Sequence, residues 1–383
     1  EDSSPAFRRV CGNEVLRRLV LGAYRHGASA IQVAGSHLER AREVLRDPRL
    51  EDAVIVYDEL PASEEPVVEV TADVVVGHPV WAAIAGAEGP RFVPGAPHFR
   101  HAHCGDAEAL WDTPPRGAFV VPVQDRAGAR RAKRAIFANI TKATSGPVSR
   151  HLNAKFSIPL SKLLVETPMT PNQMTLTNTL IGIAGSLCYA TGTLAGVAIG
   201  GLVLQLASAL DRNDGELARS KMMESHKGAW YDSVGDNITY LVLTICIVLG
   251  YARFVAVTPS IPWAPFTLPI GGALIVLSFT VIGGMFLWVH RRGLGGTMTA
   301  IASDFRDNVT TEKRGWVFAF LDKVKVLGER DQFSLLLMVV SLMPWLTGDA
   351  RWYHALFFSV VGFVFLANIY FGLGALKTLR AAR

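Results

Sequence analysis

Charge is scarce in this sequence. Only 19% of its 383 residues are Asp, Glu, Lys or Arg, against about 25% in an ordinary soluble chain. Half of the residues are hydrophobic, and the mean hydropathy is +0.27. That combination excludes a disordered or collagen-like chain and argues against a purely soluble protein. Cysteine is scarce too. Cys11, Cys104, Cys188 and Cys246 are the four present, without C-x-x-C spacing, and the last two lie inside long apolar runs. A disulfide framework is not expected, and a reducing cytoplasmic face fits. No signal peptide is visible. The net charge of +5 suits a nucleic acid or an anionic membrane surface; its distribution along the chain favours the membrane, and no nucleic-acid partner is expected.

At roughly 150 residues per domain, the length suggests two or three domains. Residues 1–125 read as a small α/β domain on the cytoplasmic side. Helical patterns over Glu14–His26 and His37–Arg46 alternate with strand patterns at Ala30–Ala34 and Ala53–Tyr57. Val67–Val76 and Ala118–Val123 are further strand candidates, with a helical stretch after Pro79. Alternation of this kind predicts βαβ units and a mainly parallel sheet. Residues 126–168 form a connector whose first forty residues hold no acid at all. Arg126, Arg130, Arg131, Lys133, Arg134, Lys142, Arg150, Lys155 and Lys162 are interleaved there with Ile136, Phe137, Ile140, Leu152, Phe156 and Leu163. Basic amphipathic helices in the headgroup layer fit this pattern, with a solvated linker helix as the plainer reading.

Residues 169–383 carry long apolar runs near 173–191, 195–220, 229–252, 267–290, 332–348 and 353–377. Each is about the ~20 residues that cross the hydrocarbon, so six spans are expected. The connector, the 220–228 and 291–331 loops and the C-terminus hold most of the Lys and Arg, whereas the opposite loops carry Arg253 and Arg351. By the positive-inside rule both termini are cytoplasmic, in a multi-pass protein of the cell inner membrane.

The second apolar run ends in Asp211-Arg212-Asn213-Asp214-Gly215-Glu216-Leu217-Ala218-Arg219, followed by Gly228, Asp232 and Asp236. At ~1.5 Å per residue, Asp211 lies roughly 24 Å into the span, still inside a ~30 Å slab. A carboxylate there costs about 2.5–3.5 kcal/mol, and four need compensation. Asp211 and Asp214 are three apart and share a helix face; Asp232 and Asp236 are four apart and share another. A short loop folds one face onto the other. Such a set offers oxygen ligands to hard divalent cations, and two divalent ions balance four charges. Gly215 and Gly228 leave room for a ligand or a neighbouring helix, and Arg219 suits a phosphate. Acids lining a pore or forming salt bridges are the structural alternative.

These residues resemble the signature of the CDP-alcohol phosphotransferase (CDP-alcohol phosphatidyltransferase) family, D-x-x-D-G-x-x-A-R-x₈-G-x-x-x-D-x-x-x-D. Asp211, Asp214, Gly215, Ala218, Arg219, Gly228, Asp232 and Asp236 fill every fixed position. Thr170-Pro171-Asn172 resembles the start of that family's first membrane helix, and the likeness covers about residues 145–380. The resemblance implies a membrane enzyme that uses two divalent cations, Mg²⁺ or Mn²⁺. It would transfer a phosphoalcohol from a CDP-alcohol to a second alcohol and release CMP. It assigns metal binding to Asp211, Asp214 and Asp232; Asp236 binds the second metal or acts as the catalytic base on the acceptor hydroxyl. Contact with the cytidine diphosphate falls to Asp211, Asp214, Gly215, Ala218, Arg219 and Gly228. The donor is CDP-diacylglycerol with a polar alcohol as acceptor, or CDP-inositol with an inositol phosphate.

Arg291, Arg292 and Arg330 flank apolar runs on the cytoplasmic side and are candidates for an anionic acceptor, with snorkelling to headgroups as the alternative. A homodimer is expected by family likeness, and Gly182, Gly185, Gly196, Gly200 and Gly201 suit close helix contacts. Gly12-Asn13-Glu14-Val15-Leu16-Arg17-Arg18-Leu19-Val20 and Thr71-Ala72-Asp73-Val74 resemble, more weakly, parts of the sugar-phosphate nucleotidyltransferase fold. That family's glycine-rich phosphate loop is absent, so an inactive or scaffolding domain is expected. The fusion is similar to bifunctional enzymes of inositol-phosphate lipid synthesis, which make CDP-inositol and then use it in di-myo-inositol-phosphate phosphate synthesis. His98, His101, His103 and Cys104 cluster without a second ligand pair of zinc-site spacing. Outside this enzyme class, a cation transporter or a catalytically inactive membrane scaffold would also place acids in a span.

Overall fold

The structure, a computed structural model, describes residues 4–28, 30–59, 67–86, 91–92, 99–102, 108–109, 113–141, 146–258, 261–292 and 330–381. Among these, the side chains of 67–69, 91–92, 99–102, 108–109, 281, 285–292, 330 and 367–381 are outside the description. The His98–Cys104 cluster and the side chains of Arg291, Arg292 and Arg330 therefore lie outside it. The chain forms two compact units. One comprises residues 1–142, 162–168 and 219–222; the other comprises 143–161, 169–218 and 223–383.

The first unit begins with a hairpin of β1 (Arg9–Val10) and β2 (Asn13–Glu14). Its two turn residues, Cys11 and Gly12, both have positive φ, 52° and 79°, as a tight hairpin turn of the right twist requires. Burial pushes the Cys11 thiol up to about 11. Helix α1 (Val15–Arg25) buries Leu16, Val20 and Leu21 against Ala41 and Leu45 of α2 (Leu38–Val44) and its flank. The other side of α1 places Leu19 on Trp81 of α3 (His78–Ala85) and on Val74. Strands β3 (Ile31–Ala34) and β4 (Val54–Tyr57) flank α2 and pair in parallel, the βαβ unit expected.

The expectation of a mainly parallel sheet is not met among the described residues. Besides the β1–β2 hairpin, β5 (Val67–Val70) pairs antiparallel with β8 (Phe99–Ala102), and β6 (Val74–Val76) antiparallel with β10 (Val120–Pro122). Only β3–β4 and the two-residue β7 (Arg91–Phe92) and β9 (Glu108–Ala109) run parallel. Five two-stranded sheets result rather than one. The run Val67–Val76 breaks at Thr71–Asp73, where the Thr71 hydroxyl donates to the Asp73 carboxylate at 2.5 Å.

Of the basic connector, α4 (Arg126–Ala138) starts on an Asp125 cap and buries Ala132, Ile136 and Phe137. That apolar face is spent inside the first unit rather than on lipid. Helix α5 (Ala154–Leu164) instead leaves Phe156 64% and Leu163 71% exposed, as a headgroup-layer helix requires.

The second unit is helical. Helices α6 (Pro171–Tyr189), α7 (Leu194–Ser220), α8 (His226–Val257), α9 (Thr267–Arg292), α10 (Arg330–Thr347) and α11 (Arg351–Ala381) fall on the six apolar runs. Leu194–Ser220, His226–Val257 and Ala264–Gly284 are long and apolar enough to cross a membrane. Asp331–Thr347 and Arg351–Leu366 are apolar but shorter among the described residues. Helix α6 is less apolar because it carries Asn172, Gln173, Thr175, Thr177, Asn178 and Thr179. The core of this unit includes Tyr189, Leu204, Leu243, Ile247, Tyr251, Leu337, Tyr353 and Phe357, with Tyr251 stacked on Phe357 at 4.0 Å. Helices α6 and α8 cross where each lacks a side chain. A Cβ on Gly182 would lie 2.7 Å from Thr239, and one on Gly235 would strike Thr179. Gly185, Gly200 and Gly201 likewise abut Val203, Tyr189 and Ser341 of the same chain, so these small residues serve packing within the chain.

Candidate active site

The site grows from two helix starts and one helix end. Pro171 occupies the first turn of α6, where its missing N–H is no loss. Thr170 caps that turn: its Oγ1 accepts from the Gln173 amide at 3.3 Å, and Gln173 Oε1 accepts from the Thr170 amide at 2.9 Å. This capping box fixes the first turns of α6, and with them Thr175 and Asn178. Ser225 caps α8, its Oγ accepting from the Gly228 amide at 3.0 Å. A Cβ on Gly228 would lie 3.1 Å from that hydroxyl and 3.3 Å from Asn172 Oδ1, so glycine keeps the α8 start close to that of α6.

Asp211 and Asp214 on α7 and Asp232 on α8 come together. One carboxylate oxygen from each lies within 4.8 Å of the others. Asp214 Oδ2 accepts from the Thr175 hydroxyl at 2.6 Å, and its Oδ1 accepts from the Gly215 amide. Asp211 Oδ1 accepts from Asn178 Nδ2 at 2.9 Å. Three half-converged carboxylates repel one another unless cations lie between them. All-oxygen donors of this charge, with Asp211 and Asp214 held by neutral hydrogen-bond donors, fit hard divalent cations.

Asp236 is not one of that group. One turn further along α8, it lines a cavity of about 30 Å³ with Leu204, Ser208, Tyr240, Phe333 and Ser334. A space of that size holds a water molecule or a hydroxyl group, and its lining is otherwise mostly apolar. Arg219 belongs to the first unit, where its Nε donates to the Ile140 carbonyl at 3.0 Å. Ala218 and Gly215 lie on the α7 turns between Asp214 and Arg219.

The variable positions of the motif are also committed. Arg212 pairs with Glu216 at 3.1 Å, with side chains 9% and 0% exposed. Ser157 donates to Glu216 Oε1 at 2.9 Å and accepts from Arg212 Nε at 3.1 Å. Asn213 Nδ2 donates to the Ser157 carbonyl at 2.8 Å and to Ser161 Oγ at 2.7 Å. Residues 153–161 are thereby fastened to the back of the α7 segment that bears the two acids. Sequence reasoning missed Thr175, Asn178, Ser157 and Ser161. The available signal was polarity at helical spacing: Thr175 and Asn178 are three apart at the start of an apolar run, as Asp211 and Asp214 are at the end of one.

A membrane domain built around a convergent D-x-x-D…D carboxylate set defines a class of phosphoalcohol transferases. Residues 168–361, just over half of the chain, match the CDP-alcohol phosphatidyltransferase family, and the chain belongs to it. Several curated proteins named bifunctional IPC transferase and DIPP synthase are similar to it. The one from Thermococcus kodakarensis is 41% identical over 124 residues, 32% of this chain and 27% of that protein. The one from Rubrobacter xylanophilus is 33% identical over 131 residues, 34% of this chain and 28% of that protein. The one from Aquifex aeolicus is 26% identical over 232 residues, 60% of this chain and 46% of that protein. The matched segments thus span between about a quarter and a half of those relatives.

Proposed function

We propose that this protein transfers a phosphoalcohol group from a CDP-alcohol to a second alcohol and releases CMP. The observation that carries the reading is the convergence of Asp211, Asp214 and Asp232 inside the segment that matches the family. Those three carboxylates would hold divalent cations, Mg²⁺ or Mn²⁺. When bound, the cations neutralise phosphate charge during phosphoryl transfer. Gly215, Ala218, Gly228 and Arg219 are assigned to the cytidine diphosphate by their places in the motif.

Asp236 is assigned as general base. It takes the proton of the acceptor hydroxyl as that oxygen attacks the phosphorus bearing the donor alcohol. The bond from that phosphorus to the bridging oxygen breaks, and CMP leaves with the oxygen. The cavity at Asp236 admits a hydroxyl, which suits a carboxylate that must sit within hydrogen-bond reach of the proton it removes.

The names of the similar proteins favour CDP-inositol and an inositol phosphate over CDP-diacylglycerol as the substrate pair. Six spans in the cell inner membrane, cytoplasmic termini, a homodimer and an inactive nucleotidyltransferase-like N-terminal domain complete the proposal. Arg291, Arg292 and Arg330 are its candidates for the acceptor's anionic group. The test is CMP release from a panel of CDP-alcohols, in Mg²⁺ and in chelator. CMP is expected only with metal, and Asp236→Asn is expected to abolish release while CDP still protects the protein from heat. Release in chelator, or full release by that variant, would overturn the assignment. Cation flux without CMP release would favour a transporter.

A further inference from the structure

The run from Gly12 to Val20 resembles part of the sugar-phosphate nucleotidyltransferase fold, and the proposed function leaves it unused. Its polar residues have another occupation in the first compact unit. Helix α7 ends at Ser220, and the last carbonyls of a helix have no donor within it. Arg18 Nη1 donates to the Ser220 carbonyl at 2.5 Å, and Asn13 Nδ2 to the Lys221 carbonyl at 2.5 Å. Arg25 Nη2 and Arg49 Nη1 donate to the Met222 carbonyl at 2.8 and 3.2 Å. Lys221 Nζ reaches the Thr167 carbonyl at 2.6 Å. Three consecutive carbonyls are thus taken by four side chains from one region of sequence.

The turn they hold is a strained one. Met222 has φ 55°, the left-handed position that closes a helix and is ordinarily filled by glycine. The Met222 amide donates to Arg219 O at 3.3 Å and the Met223 amide to Ala218 O at 2.8 Å, the paired bonds of a Schellman cap. A left-handed residue with a Cβ is disfavoured, and cations at a helix C-terminus offset such a cost. Arg18 is 8% exposed, and its Nε has no partner among the described residues. A buried guanidinium is costly unless its hydrogen bonds are met, and the Ser220 and Val10 carbonyls accept from this one. This turn is also the link between the acid-bearing segments: Asp214 lies eight residues before Met222 and Asp232 ten after it.

We infer that Asn13, Arg18, Arg25 and Arg49 are positioning residues through which the N-terminal unit clamps the turn at 220–222, and so sets the spacing of the metal carboxylates on either side of it. This inference rests on reading Asp211, Asp214 and Asp232 as a metal site.

The test uses the full chain in detergent and two readouts that do not require turnover. Amide exchange over residues 219–226, followed by mass spectrometry, reports the clamp. Binding of Mn²⁺ alone, followed by electron paramagnetic resonance, reports the site. Arg18→Met and Asn13→Ala are expected to speed exchange in that stretch at least tenfold and to weaken Mn²⁺ binding about tenfold. Arg18→Lys, which keeps the charge, is expected to retain part of both. Exchange over residues 31–57 is expected to stay slow, showing that the unit remains folded; if Arg18→Met unfolds it, Asn13→Ala carries the test. Unchanged exchange at 219–226 overturns the clamp. Faster exchange with unaltered Mn²⁺ binding overturns its link to the site. Asp232→Asn separates the two ideas: if it binds Mn²⁺ as the parent does, the metal reading fails and this inference falls with it.

Discussion

Asp214 sits between two donors, the Thr175 hydroxyl on one oxygen and the Gly215 amide on the other. Asp211 leans on Asn178 in the same way. Donors of this kind orient a ligand carboxylate without adding charge, and their loss ordinarily costs about 10–100-fold in metal affinity or activity. Thr175→Val and Asn178→Leu are therefore each expected to shift the Mg²⁺ concentration for half-maximal CMP release upward by about tenfold or more. A titration curve that overlays the parent's would remove these residues from the site. The fixed motif made the aspartates and glycines visible in the sequence, because acids in an apolar run need a reason. Thr175 and Asn178 were not visible in that way. Thr and Asn occur singly in membrane helices at modest cost, and only the packing of α6 beside α7 directs these two at Asp214 and Asp211.

Helix α7 does two tasks with one segment. One side presents Asp211 and Asp214; the other binds residues 149–161 through Arg212, Asn213 and Glu216. Removing one member of a buried ion pair strands its partner and costs about 3–5 kcal/mol, whereas replacing both with apolar residues is often neutral. Arg212→Met alone is therefore expected to destabilise the protein strongly in thermal or chemical denaturation, and Arg212→Met with Glu216→Leu to recover most of the loss. Equal destabilisation by the single and double variants would show that Arg212 acts through its hydrogen bonds to the Ser149 and Ser157 hydroxyls rather than through Glu216. At this scale the sequence was informative about where helices lie. The six apolar runs and the helices agree closely, because a period of hydrophobic residues bounded by Pro, Gly or charge is a local signal. Sheet topology was not local. The β3–α2–β4 unit was legible from its alternation, but the antiparallel pairings of β5 with β8 and β6 with β10 join strands far apart in sequence.

In the first unit, Asp47 receives two arginines: Arg49 Nη2 at 2.6 Å and Arg17 Nη2 at 2.9 Å, with the Arg49 amide and Nε on its other oxygen. The Arg49 side-chain hydrogen bonds hold its carboxyl well below the usual carboxylate range; burial opposes them, and the Arg49 amide and Arg17 add to the lowering. A carboxyl with a lower pKa in the folded chain stabilises the fold at pH values above its unfolded pKa, about 3.9, and loses that contribution as pH falls toward the folded value. The difference in melting temperature between the parent and Asp47→Asn is therefore expected to be full at pH 6 and to shrink between about pH 4 and pH 2. A difference that stays constant over that range would refute the ion-pair account. The same arginine, Arg49, also reaches Met222, so acid loosening of Asp47 is expected to speed amide exchange at 219–226 as well.

The sequence by itself determined the class of this protein. Hydropathy fixed a membrane domain, and eight residues at fixed spacing fixed a family, because helical periodicity converts spacing directly into a shared face. Only the tertiary structure decided which acids converge, leaving Asp236 at a separate cavity, and which neutral residues orient the rest. It alone gave the Asn13–Arg18 stretch its place at the end of α7. Those outcomes depend on which faces of distant segments meet, and no local pattern of residues encodes that meeting.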